Sequence, residues 1–361
     1  MNRVRRMVSS HTANCHAEPS RVPLRAFCAV LALLCQSGLS RAQSHSTHQL
    51  PADGRRHSHE SAGLGTVGQP ARGGNIDLTA YLTTWNFSNL QPGEREKFYR
   101  ETPLSEGRLL REYRFYMVNK EIEIAPGVTF PAWTYNGQVP GPTIRATVGD
   151  RIRIRFLNQG DRPHTMHFHG FHPEEMDGSD PSQFVLPGEE FVYEFDADPA
   201  GVHLYHCHSL PLTQHIHKGL YGVYIVDPKV PRAPARELIM MMNGFDTNFD
   251  EENEVYAVNT FAFYYVHHPI RVRKDELVRI YLVNILEFDM INSFHVHAHF
   301  FNEYRTGTLS VPTNYTDTVA LAQAERSILE LKFRYPGEFM FHAHKTEFAE
   351  KGWHGMFEVT N

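Results

Sequence analysis

Eight histidines of this chain fall into four His-x-His pairs: His167/His169, His206/His208, His295/His297 and His342/His344. On a β-strand, side chains i and i+2 leave the same face about 7 Å apart. Each pair can therefore offer two imidazoles to one site, while the residue between them faces the other way. Neutral imidazole is the commonest protein metal ligand. One pair would carry little weight in a chain with 23 His, but four pairs at equivalent places in two repeats are a constellation.

The residue inside the second pair is Cys207, the one cysteine after residue 42. A lone cysteine cannot build an internal disulfide framework, so it is an inert thiol, a ligand or a nucleophile. Its sulfur must point away from His206 and His208, into its own domain. His164 lies five residues before His169, His215 lies eight after Cys207, and Leu220 lies five past His215. A thiolate with two imidazoles and a weak axial group is the ligand set of a blue copper site, and Leu220 stands at the axial place. Soft sulfur with imidazole selects copper over Mg²⁺ or Ca²⁺. Zinc competes for such a set, but it would not explain the four further pairs.

These residues need strands to hold them. Ile152, Ile154 and Phe156 alternate with Arg in Arg151–Asn158, after a Val-Gly-Asp turn, which predicts a half-buried antiparallel strand. Ile270–Asn284 repeats the pattern of the longer run Ile144–Asn158 at the same length, and Gly201–His208 aligns without gaps on Gly337–His344. The chain reads as a duplication: all-β, two tandem Greek-key β-sandwich domains over 76–230 and 234–361, joined near Pro228–Pro234. No segment predicts a long helix.

With those residues in place, the sequence resembles the multicopper oxidases, specifically their two-domain, laccase-like type with cupredoxin domains and the blue (type 1) copper in the first. The segments that carry the resemblance are His164-Thr-Met-His-Phe-His-Gly170, His206-Cys-His-Ser-Leu-Pro-Leu-Thr-Gln-His-Ile-His-Lys-Gly-Leu220, Asn292-Ser-Phe-His-Val-His-Ala-His299 and Phe341-His-Ala-His344 through Gly352. The similarity covers about residues 110–361. It implies a type 1 copper at His164, Cys207 and His215. It also implies a three-copper cluster, one type 2 and two type 3, on His167, His169, His206, His208, His295, His297, His342 and His344. That makes four copper ions per chain. O₂ and an electron donor would be the substrates, and a head-to-tail homotrimer would share its clusters between subunits. Asp177, eight residues after His169, resembles the family's proton-relay Asp; before Gly178 it also reads as a turn residue. His172, His203, His217, His299 and His354 lie close to the motifs and read as supporting or structural residues.

The second repeat departs from the pattern in one place. Asn292, Ala343, Phe348 and Trp353 stand where a second blue site would put its His, Cys, His and axial residue. That site is erased as a unit while its four cluster histidines remain. Copper nitrite reductases resemble the chain next best. Their pattern has Asp three residues after the first blue-site His and no His after the Cys, where this chain has His167 and His208. A copper store or electron-transfer protein without turnover is the alternative of another class.

Composition bounds the partners. The 361 residues carry 41% hydrophobic side chains, enough for two cores. Net charge is −6; the first 42 residues hold six Arg and one Glu, leaving 29 basic side chains against 40 acidic after them. An acidic chain argues against nucleic acid and anionic membrane surfaces. Arg21 and Arg25 precede the apolar run Ala26–Cys35, and Ser40-Arg41-Ala42 forms a cleavage site. Residues 1–42 thus read as an export signal, its ten-residue apolar run too short to span a bilayer, with a periplasmic or extracellular destination. Residues 43–75, rich in Ser, His, Gly and Pro, read as a flexible linker. Phenols, Mn²⁺ and Fe²⁺ all remain open as donors.

Overall fold

The computed structural model describes Gly93 and residues 95–361; the export signal, the linker and the first residues of the first predicted domain lie outside the described residues. The first repeat runs β1 (Tyr99–Pro103), β2 (Leu109–Ala125), β3 (Val128–Tyr135), β4 (Gly141–Thr147), β5 (Arg151–Asn158), β6 (His167–Phe168), β7 (Glu190–Asp196), β8 (Gly201–His206) and β9 (Tyr221–Asp227). One sheet has the order β1-β2-β5-β7, with β3 paired to β2, and the other has β4-β9-β8-β6.

The second repeat runs β10 (Arg236–Phe245), β11 (Val255–Val258), β12 (Ile270–Arg273), β13 (Leu277–Asn284), β14 (Ile291–Val296) and β15 (Phe301–Arg305). It continues with β16 (Asn314–Thr316), β17 (Thr318–Ala322), β18 (Arg326–Lys332), β19 (Gly337–His342) and β20 (His354–Thr360). Its sheets are ordered β11-β10-β13-β18-β15-β16 and β12-β20-β19-β14-β17. Among the described residues four α-helices punctuate the strands: α1 (Arg95–Phe98), α2 (Leu212–His217), α3 (Tyr264–His267) and α4 (Thr346–Glu350). None is long and apolar enough to cross a membrane. The fold is all-β, two cupredoxin-like sandwiches in tandem.

Alternation built the strands as expected, with one difference in pairing. Ile152, Ile154 and Phe156 are fully buried, while Arg153 on the outer face pairs with Glu112 and Glu194 of the neighbouring strands. The expected purely antiparallel strand is mixed: β5 runs antiparallel to β7 but parallel to β2. Its counterpart β13 is antiparallel to β18 and parallel to β10. Alternation reports which face is buried and says nothing about the direction of a neighbour. The turn before β5 places Gly149 at φ 91°, and the equivalent turn of the second repeat places Asp275 at φ 62°. Gly and Asp are among the residues that tolerate the left-handed region.

Each sandwich has its own core, and a third apolar cluster lies between them. Val202 and Leu204 of β8 pack there with Ile239, Met241, Tyr281 and Val283 of the second repeat, whereas Tyr205 and Cys207 belong to the first repeat's core. Burying side chains of this size contributes roughly 1.5–3 kcal/mol each. The two-residue period of β8 therefore sends Cys207 inward and His206 to the face that carries Leu204. A polar tie reinforces the contact: Glu237 accepts from Arg145 of the first repeat at 2.8 Å and from Arg279 at 3.0 Å.

Candidate metal centres

The loop before β6 brings His164, and the chain from β8 through α2 brings Cys207 and His215, to one buried point. Cys207 Sγ lies 3.1 Å from His215 Nδ1 and 3.8 Å from His164 Nδ1, and the two nitrogens are 3.2 Å apart. Leu220 is fully buried and donates its amide to the His215 carbonyl, which fixes it beside the group. The Thr165 amide lies 3.3 Å from Sγ. Burial, reinforced by the neighbouring His215, holds the His164 imidazole down at about 3; burial and the Arg162 charge hold His215 at about 4. Both rings are neutral at any ordinary pH, with lone pairs available. Burial pushes the Cys207 thiol up against amide and hydroxyl donors from Thr165 and Ser209, so a metal must displace its proton. One thiol and two neutral imidazoles converging in a dry pocket fit a copper or zinc ion.

On the outer face of the same strands, His167, His169 and His206 form a second group whose ligand atoms lie within 4.8 Å of one another. The register pairs His167 directly with His206, and the His208 ring stands 5.2 Å from that of His167. His206 Nδ1–H donates to the Cys207 carbonyl at 2.9 Å, and His167 Nδ1–H donates to the Asp177 carbonyl at 2.8 Å. Each bond fixes a tautomer and leaves Nε2 free to face the group. His169 and His206 meet Nε2 to Nε2 at 3.3 Å. Burial first, and then the neighbouring imidazoles, keep His169 at about 2 and His206 at about 4.

The second repeat reproduces this arrangement. His295 pairs with His342 in register, and His342 and His297 meet Nε2 to Nε2 at 3.1 Å. His342 Nδ1–H donates to the Ala343 carbonyl at 2.7 Å, as His206 does to Cys207. His344 stands 5.3 Å from His295, ring to ring. Among the described residues no ring of this set touches a ring of the first. His297 and His344 are exposed, so this second set opens outward.

The erased site is filled. Phe348 and Trp353 are fully buried, Phe348 stacks on Tyr256 at 4.0 Å, and Ala343 lies in the second core. Asn292 is also buried, and its carbonyl oxygen accepts from the Ser293 amide. None of these offers a thiolate or an imidazole.

Asp177 is a turn residue that also faces two histidines. It caps the 3₁₀ turn Glu174–Met176 before Gly178 at φ 71°, and its Oδ1 lies 3.2 Å from His167 Nδ1 and 3.6 Å from His172 Nε2. Partial burial opposes its charge, but the Ser179 hydroxyl and the His167 imidazole hold the carboxyl below the usual range. The five accompanying histidines all bond to the main chain. His172 bonds to Phe168, His203 to Pro199, His217 to Asp246, His299 to His297 and His354 to Ala349.

Four contributors escaped the sequence reading. Thr165 Oγ1 accepts from the His208 amide at 3.0 Å, as Ser293 Oγ does from His344 at 2.8 Å. Both hydroxyls directly follow an aligned position, His164 and Asn292, and the repeat could have revealed them. Trp133 contacts the rings of His164 and His215. Arg326, from the second repeat, reaches His169 Nδ1 at 3.4 Å. Nothing in local spacing announces these last two.

Comparison with known proteins agrees with the geometry. Sequence profiles described as multicopper oxidase match residues 117–231 and 232–361. A crystal structure of a multicopper oxidase is 51% identical, covering 79% of this chain and 98% of its own, with a TM-score of 0.75. The copper-containing nitrite reductase of Neisseria gonorrhoeae is 28% identical over 265 residues, 67% of this chain, and the match spans 66% of that protein's length. The copper nitrite reductase of Nitrosomonas europaea is 27% identical, covering 70% of this chain and 94% of its own, with a TM-score of 0.63. Two profiles that together cover residues 117–361, a 51% identical structure and a set of four imidazoles repeated in both sandwiches agree: the chain belongs to the multicopper oxidase family.

Proposed function

We propose that the protein is an exported, laccase-like oxidase, binding four copper ions per chain and reducing O₂ with electrons from an external donor. His164, Cys207 and His215, with Leu220 at the axial place, would hold the type 1 ion. His167, His169, His206 and His208 would hold one half of the three-copper cluster, and His295, His297, His342 and His344 the other half. Copper, when bound, supplies the redox chemistry: four electrons, taken singly from a donor, reduce O₂ to two waters. The chain's part is to fix geometry and exclude water. Cys207 is covalently flanked by His206 and His208, so the two kinds of site share one strand end. Leu220 brings no thioether, which favours a high potential at the first site.

The two histidine sets do not meet within the chain, and the second opens to solvent beside Met290 (91% exposed), Ile291 and Phe300. Phe171, two residues past His169, is 68% exposed. Apolar side chains flanking an open half-site support closure by a neighbouring subunit, head to tail, in a ring of three.

Nitrite reduction is the competing reading, favoured by the Neisseria gonorrhoeae and Nitrosomonas europaea relatives. One observation carries the oxidase over it: each repeat presents four imidazoles, with His167 and His208 packed ring to ring at 5.2 Å. The nitrite reductase pattern lacks both of these residues, and a one-copper site does not need them. Copper analysis of the loaded protein, with oxygen and nitrite consumption measured side by side, tests the choice. Four ions per chain with oxygen uptake is the expected result; two ions with nitrite turnover would reverse it.

A further inference from the structure

We infer that the second repeat latches the ligand-bearing helix of the first. His217 and Lys218, held against Asp246 and Phe249 of the β10–β11 loop, are positioning residues for His215. This rests on the reading of His164, Cys207 and His215 as a type 1 copper site, and it adds a control on that site from the other sandwich.

The helix α2 has six residues, too few to hold its own shape in water. Its ligand must be aimed by whatever packs around it. At about 100° per residue, side chains two apart leave a helix on nearly opposite sides. His215 accordingly turns toward Cys207 Sγ, 3.1 Å away, while His217 turns toward the second repeat. His217 Nε2 lies 3.1 Å from the Asp246 carbonyl oxygen and 3.2 Å from the Asp246 amide nitrogen. Its ring meets Phe288 at 5.2 Å, Phe130 at 5.3 Å and Phe249 at 5.9 Å.

Lys218, which caps α2, completes the latch. It is only 9% exposed, and its ammonium sits between two rings, 5.0 Å from the centre of Phe130 and 4.9 Å from that of Phe249. One ring belongs to β3 of the first repeat and the other to the second repeat. A desolvated cation between aromatic faces is held by both ring quadrupoles. The Lys218 carbonyl also accepts the Trp133 amide at 2.8 Å, and its amide donates to the Gln214 carbonyl at 3.0 Å. One residue thus joins α2, β3 and the loop.

The loop comes shaped for this contact. Phe249 and Glu251 stand at φ 65° and 71°, in the left-handed region that non-glycine residues enter only where their surroundings compel them. The buried Asp246 carboxylate supplies that compulsion by accepting the amides of Phe249, Asp250 and Glu251. Phe249 remains 55% exposed, and its ring contacts are Phe130, His217 and the Lys218 ammonium. It serves the helix rather than its own core. Freed from the latch, α2 would tilt and move the His215 nitrogen relative to Cys207 Sγ, and a metal site depends on such support for its geometry.

The test uses the full chain and the variants Phe249→Ala, Phe249→Tyr and Lys218→Met. Phe249→Ala trims an exposed side chain, so folding is not at stake. In the copper-free proteins, hydrogen exchange at the amides of Lys218, Gly219 and Leu220 should quicken about tenfold in Phe249→Ala and Lys218→Met. Phe249→Tyr keeps the ring and should match the wild type. In the copper-loaded proteins, the absorption and spin-resonance signature of the blue centre should shift in the first two variants and not in Phe249→Tyr. A role confined to stability would lower the melting temperature and leave that signature unchanged, and this result would overturn the proposal. Unchanged exchange in Phe249→Ala would overturn it too. If the loaded wild type shows no blue band, the parent reading fails instead, while the copper-free exchange still reports whether the latch holds α2.

Discussion

Cys207 and Ala343 occupy the same position in the two repeats: the Cys207 amide donates to the Leu220 carbonyl at 2.9 Å, and the Ala343 amide donates to the Trp353 carbonyl at 3.1 Å. The amides of Leu220 and Trp353 in turn bond to the carbonyls of His215 and Phe348. The backbone cradle around Cys207 therefore survives in the second repeat, with Asn292, Ala343, Phe348 and Trp353 in place of His164, Cys207, His215 and Leu220. Side chains, not backbone, decide which repeat can take an ion at that point.

Replacing the thiol should separate the two kinds of site. Copper-loaded wild type is expected to be blue through the Cys207 thiolate. Cys207→Ser should bleach that band while the remaining copper, counted by metal analysis, stays bound. A fully loaded wild type without the band would contradict the assignment of His164, Cys207 and His215.

Restoring the thiol in the other repeat should not restore a site. Ala343→Cys places sulfur among Asn292, Phe348 and Trp353, which offer no imidazole, and adds volume to a packed core at a cost of about 1–3 kcal/mol. Spin resonance should show one blue centre per chain in this variant, with a lowered melting temperature. A second blue signal would show that the erased site retains ligands.

Much of this was legible because it repeats. His-x-His pairs on strands, a cysteine between two of them, and an ungapped match of Gly201–His208 to Gly337–His344 locate nine imidazole and thiol groups without a structure, and spacing with the family resemblance adds His164 and His215. What stayed hidden is non-local. Trp133 reaches the site from β3, and Arg326 reaches it from the other repeat, through folding that no spacing encodes. The mixed pairing of β5 was hidden for a related reason, since alternation reads a strand's faces and not its neighbours' directions.

Acid should loosen the copper-free protein. His164, His203, His206 and His215 sit at about 3–4 and His169 at about 2, each pushed down chiefly by burial from an ordinary 6.5. Unfolding releases them to take protons, so their contribution is fully present above about pH 6.5 and is lost as pH falls toward 4. At pH 5 each favours the unfolded chain by up to about 2 kcal/mol. Melting temperatures of copper-free protein from pH 7.5 to 4.5 should fall steeply, and copper loading should flatten the curve. A flat curve without copper would mean that these rings are solvated.

Asp177 should matter through His167. Its carbonyl and carboxylate both face that ring's Nδ1. Asp177→Asn keeps the carbonyl and loses the charge, and the loss of such a supporting contact typically costs 10–100-fold in activity or metal affinity. Oxygen uptake and copper retention under a chelator should both drop, with partial recovery in Asp177→Glu. Unchanged values for both would reduce Asp177 to its turn.

Two four-histidine sets, apart in one chain, are proposed to complete one cluster between chains. The direct test mixes two inactive proteins, His167→Ala/His169→Ala and His342→Ala/His344→Ala, after dissociation and reassembly with copper. Random association in a closed ring joins two intact halves at about one interface in four. Oxygen uptake in the mixture should therefore recover to about a quarter of wild type, with each double mutant alone inactive. No recovery, together with a wild-type monomer that reduces oxygen at full rate, would contradict a cluster shared between chains.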